Sequence, residues 1–448
     1  MKVGYELQIL LLKNHLGGWS IMHQSFGKII KLTRIEKNIK QEELCEGICT
    51  PSYLSRIENN RVIADKQIYH LLLNRLGVNI ENNQINTEEI DSKIEEWYEQ
   101  LITNKTSTIK IDELRETART AGEDIYLKFR IVYCRYLLKS NQLEEAKKHI
   151  EDLQKTMQIT NHRHILLFTN VVIVFYYMNK EYLKAVDYAS KLIQFKNFES
   201  LANPFEVGIF YYNLALNYKN LYRYEKGIYF TKQALDIFKE WYFLDCAIQC
   251  HVLLGICYNN LQNWETAFHS YSVAKKIIPY LPKDDHEHHL SIIENNIGNC
   301  YENQGDYKIA LQYYLKSYEN KKNEGRIINI LNILRCYYML GDFEQSKHWL
   351  QLGQDNEQEN APKKYVLQLD IFNILLHSDN DNISINEIIS LETECIKFLT
   401  SEQIWGLVIY YCKIFAHLYK ERNLYKKASE MYELALMINE KIRERGDR

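Results

Sequence analysis

Tyr212-Asn213-Leu214-Ala215-Leu216-Asn217-Tyr218, followed by Tyr224-Glu225-Lys226-Gly227, returns in altered form twice. It reappears as Leu253-Leu254-Gly255-Ile256-Cys257-Tyr258 with Trp264-Glu265-Thr266-Ala267. It appears again as Asn296-Ile297-Gly298-Asn299-Cys300-Tyr301 with Tyr307-Lys308-Ile309-Ala310. Aligned on the small residue of the second segment, the series extends to Ala146, Ala185, Gly227, Ala267, Ala310, Ser346 and Ala428. The intervals are 39, 42, 40, 43, 36 and 82, the last being two periods of about 41. A regular period of roughly 40 residues is the mark of a solenoid of helical hairpins. Small residues let the two helices of a hairpin approach, and aromatic residues such as Tyr182, Tyr224, Trp264, Tyr307, Phe343 and Tyr425 fill the space between hairpins.

Composition agrees with an all-α chain. Only 17 Gly and 5 Pro serve 448 residues, too few for the turns of extensive sheets. Hydrophobic residues at 46% and charged residues at 25% are ordinary for a globular protein and exclude wholesale disorder. The longest candidate stretches, Leu7 to Leu12 and Val171 to Tyr177, fall far short of the ~20 residues of a membrane helix, so no membrane partner is expected. The 10 scattered cysteines read as reduced thiols, which points to a cytoplasmic protein. The repeat pattern resembles the tetratricopeptide repeat with lengthened helices, and about eight hairpins are expected over residues 111–448. The unit between Ser346 and Ala428 is degenerate, with helices expected at Asp370 to Leu376 and Ile388 to Phe398 around a polar insert, Ser378 to Asn386.

Ahead of the repeats lies a small basic segment. Between Met22 and Leu76 nine Lys/Arg face six Asp/Glu, in a chain whose total charge is −3. A cationic head on an acidic body suits a head that meets phosphate. Phe26, Ile29 and Ile30 share one helical face, and Leu44 points inward from a second helix over Gln41 to Gly47. Thr50-Pro51 opens a third helix, and Ile57, Ile63, Ile68, Leu72, Leu76 and Val78 complete the expected core. Gln41-Glu42-Glu43-Leu44 and Tyr53-Leu54-Ser55-Arg56-Ile57-Glu58-Asn59 resemble the XRE-type, lambda-repressor-like helix-turn-helix. Lys40, Cys45 and Asn60 depart from the usual cap, turn alanine and glycine of that motif. The resemblance implies that the third helix enters the major groove of double-stranded operator DNA. Ser52, Tyr53 and Arg56 would then face base edges, and Gln41, Arg34 and Arg61 would hold phosphates. A competing reading pairs Arg56 with Glu58 on the surface.

Fourteen residues before the small residue stand Asn213, Asn296 and Asn332, with Asn217, Asn299 and Arg335 one turn further on. Amides in identical phase can hold a peptide main chain whatever its side chains, and Arg335 can fork onto a carboxylate. The layout as a whole resembles the RRNPP family of peptide-pheromone receptors. That resemblance implies a right-handed tetratricopeptide superhelix whose inner groove takes a short signalling oligopeptide, and a homodimer or higher homo-oligomer. It also implies a quorum-sensing transcriptional regulator. Some relatives instead bind a response regulator, so an adaptor that sequesters a signalling protein is the alternative.

Catalytic signatures such as G-x-x-x-x-G-K-[ST], H-E-x-x-H and G-x-S-x-G do not occur. No catalytic residue, cofactor or metal is therefore expected, and the chain reads as a regulator, not an enzyme. Asp284-Asp285-His286-Glu287-His288-His289 follows Pro282 and reads as a hydrated inter-repeat loop. The expected domains are 22–79 for the head, 80–110 for a linker and linker helix, and 111–448 for the repeats. Residues 1–21 admit two readings, a helical arm or an extension ahead of a native start at Met22.

Overall fold

The computed structural model describes residues 26–78, 87–103, 109–157, 164–195, 197–321, 326–355, 361–377 and 384–447. The extension at 1–21, linker residues 80–86 and 104–108, and most of the 378–386 insert lie outside these. The chain forms two compact units, residues 1–175 and 176–448. Every regular element among the described residues is helical.

The first unit begins with a helix at 26–36, α1. It continues through α2 (Gln41–Cys45), α3 (Pro51–Glu58), α4 (Lys66–Arg75), α5 (Thr87–Ile102), α6 (Ile111–Ala121), α7 (Glu123–Lys139) and α8 (Leu143–Met157). Thr50 caps α3 by accepting from the Tyr53 backbone N–H, with Pro51 in the first turn, as the sequence implied. Lys40 supplies no side-chain cap to α2. Asn60 takes φ 51°, the left-handed conformation for which Asn is suited. Gly27 lets α1 lie against α3, since a Cβ there would stand 2.1 Å from the Ile57 carbonyl oxygen. Phe26, Ile29, Ile30, Leu44, Leu54, Ile57, Leu72, Leu76 and Val78 form the head's core. Ile63 does not belong to it: it sits 47% exposed in the irregular stretch before α4, where no helical period turns it inward. Within the 80–110 segment expected as linker and linker helix, the chain is helical over Thr87–Ile102.

α9 (Ile165–Met178) spans the division between the units. The second unit then runs through α10 (Tyr182–Ile193), α11 (Pro204–Asn220), α12 (Tyr224–Glu240), α13 (Leu244–Asn260), α14 (Trp264–Ile277), α15 (Lys283–Asn303) and α16 (Tyr307–Glu319). It ends with α17 (Ile327–Met339), α18 (Phe343–Asp355), α19 (Lys363–His377), α20 (Ile385–Ser401), α21 (Trp405–Glu421) and α22 (Tyr425–Asp447). The small residues that set the sequence period are all buried. Gly255 and Gly298 receive the rings of Tyr271 and Tyr314, which a Cβ would meet at 2.4 and 2.8 Å. The degenerate unit forms longer helices than expected, because a Ser384–Glu387 capping box starts α20 inside the supposed insert.

A second periodicity emerges at the turns. Five residues before the small residue, the chain adopts positive φ at Asn141, Lys180, Tyr222, Gln262, Gly305, Gly341 and Asn423. Each closes the preceding helix by a six-residue backbone loop, for example Asn263 N–H to Tyr258 C=O at 2.9 Å and Arg223 N–H to Tyr218 C=O at 2.9 Å. Geometry fixes this position while residue type does not. The non-glycine residues there carry left-handed strain of ~1–2 kcal/mol. Gln262→Gly is therefore expected to stabilise the unit by about 0.5–1 kcal/mol after the added entropy of the unfolded chain. Urea titration checks this, and an unchanged or lowered midpoint contradicts it.

Candidate functional site

The exposed face of the head is built on α3. Ser52 and Arg56 are exposed, Tyr53 is half-buried, and Arg61 follows the helix on the surface. Glu58 is 1% exposed and is not Arg56's partner. Instead Arg34 grips it with Nε at 2.6 Å and Nη2 at 2.9 Å, while Gln41 Nε2 donates to Glu58 Oε2 at 2.6 Å. Arg34 also donates to the Ile39 carbonyl. Arg34 and Gln41 thus tie α1, α2 and α3 together, which is a structural use of two side chains the sequence assigned to phosphates. Lys31 bonds to Asn59, Lys37 to the Leu76 carbonyl, and Arg75 to the Leu44 carbonyl. Arg56, Arg61 and Lys40 have no ion-pair or side-chain hydrogen-bond partner among the described residues, so their charge is available to a polyanion. The sequence reading took Lys40 only as a poor helix cap.

In the second unit a cavity of about 540 Å³ opens between the C-terminal ends of α11, α13, α15 and α17 and the turn from α20 to α21. Asn299 and Arg335, two of the residues expected to meet a peptide, line it. Asn213, Asn217, Asn296 and Asn332 are not among its lining residues. Asn217 is fully buried and donates to the Asn213 carbonyl at 2.9 Å. Asn296 donates to the Ile292 carbonyl at 2.8 Å, and Asn332 donates to Asn295 Oδ1 at 2.9 Å. The helices pack so that the wall of the cavity lies further toward their C-termini. There Asn220, Asn260 and Asn303 project into it from three consecutive repeats. Each stands seven residues before its small residue, so this signal was present in the sequence one to two turns from the phase chosen. The asparagines are pre-ordered: Asn303 donates to Asn259 Oδ1 at 3.2 Å, Asn259 donates to Asn299 Oδ1 at 2.9 Å, and Tyr224 Oη donates to Asn260 Oδ1 at 3.1 Å.

Arg335 does fork onto a carboxylate, but an internal one. Its Nε and Nη2 both reach Glu302, the latter at 2.9 Å, and Tyr314 Oη donates to Glu302 Oε2 at 2.6 Å. Burial alone would raise the Glu302 carboxyl, yet Arg335, by charge and hydrogen bond, and Tyr314, by hydrogen bond, hold it below the ordinary range. Glu402, on the opposite side of the cavity, pairs with Lys180, and Gln403 Nε2 donates to the Lys180 carbonyl at 3.2 Å. Burial pushes the Tyr182 phenol up to about 12 and those of Tyr224 and Tyr410 higher still, so these rings present neutral hydroxyls.

The Asp284–His289 cluster is no loop but the first turns of α15, where Pro282 ends the connection and Asp284 and Asp285 suit a helix N-terminus. His289 is buried against Asp245 at 2.8 Å, and no group of carboxylates, histidines or thiols among the described residues is arranged to hold a metal. Cys246, Cys250 and Cys257 are buried packing residues. No helix among the described residues is long and apolar enough to cross a membrane.

A helix-turn-helix head on a body of tetratricopeptide-like hairpins is the class that this fold defines. The Helix-turn-helix family model matches residues 30–82. The transcriptional activator NprA of Geobacillus stearothermophilus is 29% identical over 412 residues, covering 88% of this chain and 98% of its own. A Rap protein solved with competence and sporulation factor superposes with a TM-score of 0.63 at 16% identity, over 80% of this chain and 99% of that one. The NprR–NprX peptide complex superposes at 0.54 with 20% identity, over 78% and 99%. The likeness to NprA along nearly the whole chain agrees with the resemblance to the RRNPP family read from the sequence.

Proposed function

We propose that this protein is a cytoplasmic quorum-sensing transcriptional regulator whose operator binding is set by a short peptide held in the cavity of the second unit. The observation that carries it is the Asn220, Asn260 and Asn303 tier, three amides in one phase on successive repeats facing one cavity. The relatives support the same reading, since NprA is a transcriptional activator and NprR is solved with its cognate peptide. Ser52, Tyr53 and Arg56 would meet bases, with Arg61 and Lys40 on phosphates. The peptide must bind two arrangements of a homo-oligomer with different strength, since equal affinity would shift nothing. The Rap likeness keeps the response-regulator adaptor as second reading, but the unengaged cations of the head favour DNA.

Co-purification with mass spectrometry of bound small peptides tests the ligand. Arg56→Ala is expected to weaken binding to genomic DNA fragments by about tenfold or more, because it removes a base or phosphate contact worth ~1–3 kcal/mol. The head should remain folded and peptide capture unchanged. DNA binding that is indifferent to both Arg56→Ala and salt would leave the adaptor reading in place.

A further inference from the structure

The charged groups that line the cavity are Lys219, Glu302, Arg335 and Glu402. Glu302 is neutralised by Arg335, and Glu402 by Lys180. The side-chain ammonium of Lys219, on the last turn of α11, has no ion-pair or hydrogen-bond partner among the described residues. Burial depresses its ammonium below the ordinary lysine value, and the Cys257 thiol is the one group that opposes this. A desolvated ammonium without a counter-charge is costly, and such cations are ordinarily paired. The cavity therefore carries one uncompensated positive charge beside Asn220, its neighbour in the chain and a member of the amide tier.

We infer that Lys219 receives a single carboxylate of the bound peptide, either the C-terminal carboxylate or an Asp/Glu side chain, and so selects for a peptide with one anionic group at that position. A neutral ligand would leave the ammonium buried and unpaired, and a dianion such as phosphate would face the carboxylates of Glu302 and Glu402 across the same space. The inference rests on the peptide reading above.

Three synthetic heptapeptide pools decide it, each presented to the immobilised full-length protein, with retained peptides quantified by mass spectrometry. One pool lacks Asp and Glu and ends in a free carboxylate, one lacks them and ends in an amide, and one ends in an amide but carries a single Asp or Glu. The expected result is that one or both anionic pools are retained about tenfold better than the neutral pool, as a charge-assisted hydrogen bond requires. Which of the two pools is favoured identifies the source of the carboxylate. Lys219→Met should erase the preference while Lys219→Arg keeps it; removing a desolvated charge should leave the thermal midpoint of Lys219→Met at or above that of the parent chain. Equal retention of neutral and anionic pools, or a preference that survives in Lys219→Met, overturns the assignment while leaving the peptide reading intact. Retention of no pool overturns the peptide reading and this inference together.

Discussion

Glu302→Ala is expected to destabilise the second unit by about 3–5 kcal/mol, the usual consequence of stripping one partner from a buried ion pair. The Arg335 guanidinium would keep only Asn332 Oδ1 at 2.9 Å, and the Tyr314 hydroxyl would lose its acceptor. The side chains of Glu302 and Arg335 are each 12% exposed, so water is a poor substitute. The double substitution Glu302→Leu with Arg335→Met is expected to recover most of the loss, because it removes both charges at once. Denaturant titrations of the parent chain, the single variant and the double variant measure this. A single substitution costing under about 1 kcal/mol would show the pair to be no more than a surface bridge. The pH dependence follows from the lowered carboxyl. A group with a depressed folded value contributes stability that is fully present above its unfolded value, 4.5, and that is lost as pH falls through the folded one. The gap between parent and Glu302→Ala should therefore close on acidification, and a gap that widened would reverse the assignment.

Glu58→Ala is expected to abolish DNA binding without touching the reading face. It leaves Arg34 and Gln41 without the carboxylate that joins three helices, at a cost of about 3 kcal/mol or more. A core of this size has little stability to lose. The head should melt while peptide capture by the second unit persists, in contrast to Arg56→Ala, where the head stays folded and only the DNA contact goes. Circular dichroism melting with a peptide-capture assay separates the two. If Glu58→Ala retained a cooperative head transition at the parent temperature, the tie would be ornamental, and Arg34 would return as a candidate phosphate contact.

Much of this architecture was legible in the chain. The period of small residues depends on local crowding between paired helices, and each such residue is buried where the period placed it. The Thr50-Pro51 start and the left-handed Asn60 are equally local, since capping and φ preference involve only near neighbours. Failures began where a helix's rotation about its own axis mattered. Asn213, Asn296 and Asn332 share a phase, but so do Asn220, Asn260 and Asn303, and only packing shows which phase faces the cavity.

Charge pairing showed the same limit more sharply. The sequence offered Arg34 to phosphates, Arg56 to base edges and Arg335 to a carboxylate and did not single out Lys219, whereas the fold commits Arg34 to Glu58 and Arg335 to Glu302 and leaves the side chains of Arg56 and Lys219 unpaired among the described residues. The amino-acid order alone determined the helical class, the hairpin period and the position of the small basic head, because those follow from contacts a few residues apart. Which cations are neutralised, and which asparagines meet the cavity, only the tertiary structure decided, because electrostatic partners lie on other helices, 24 residues away for Arg34 and 33 for Arg335.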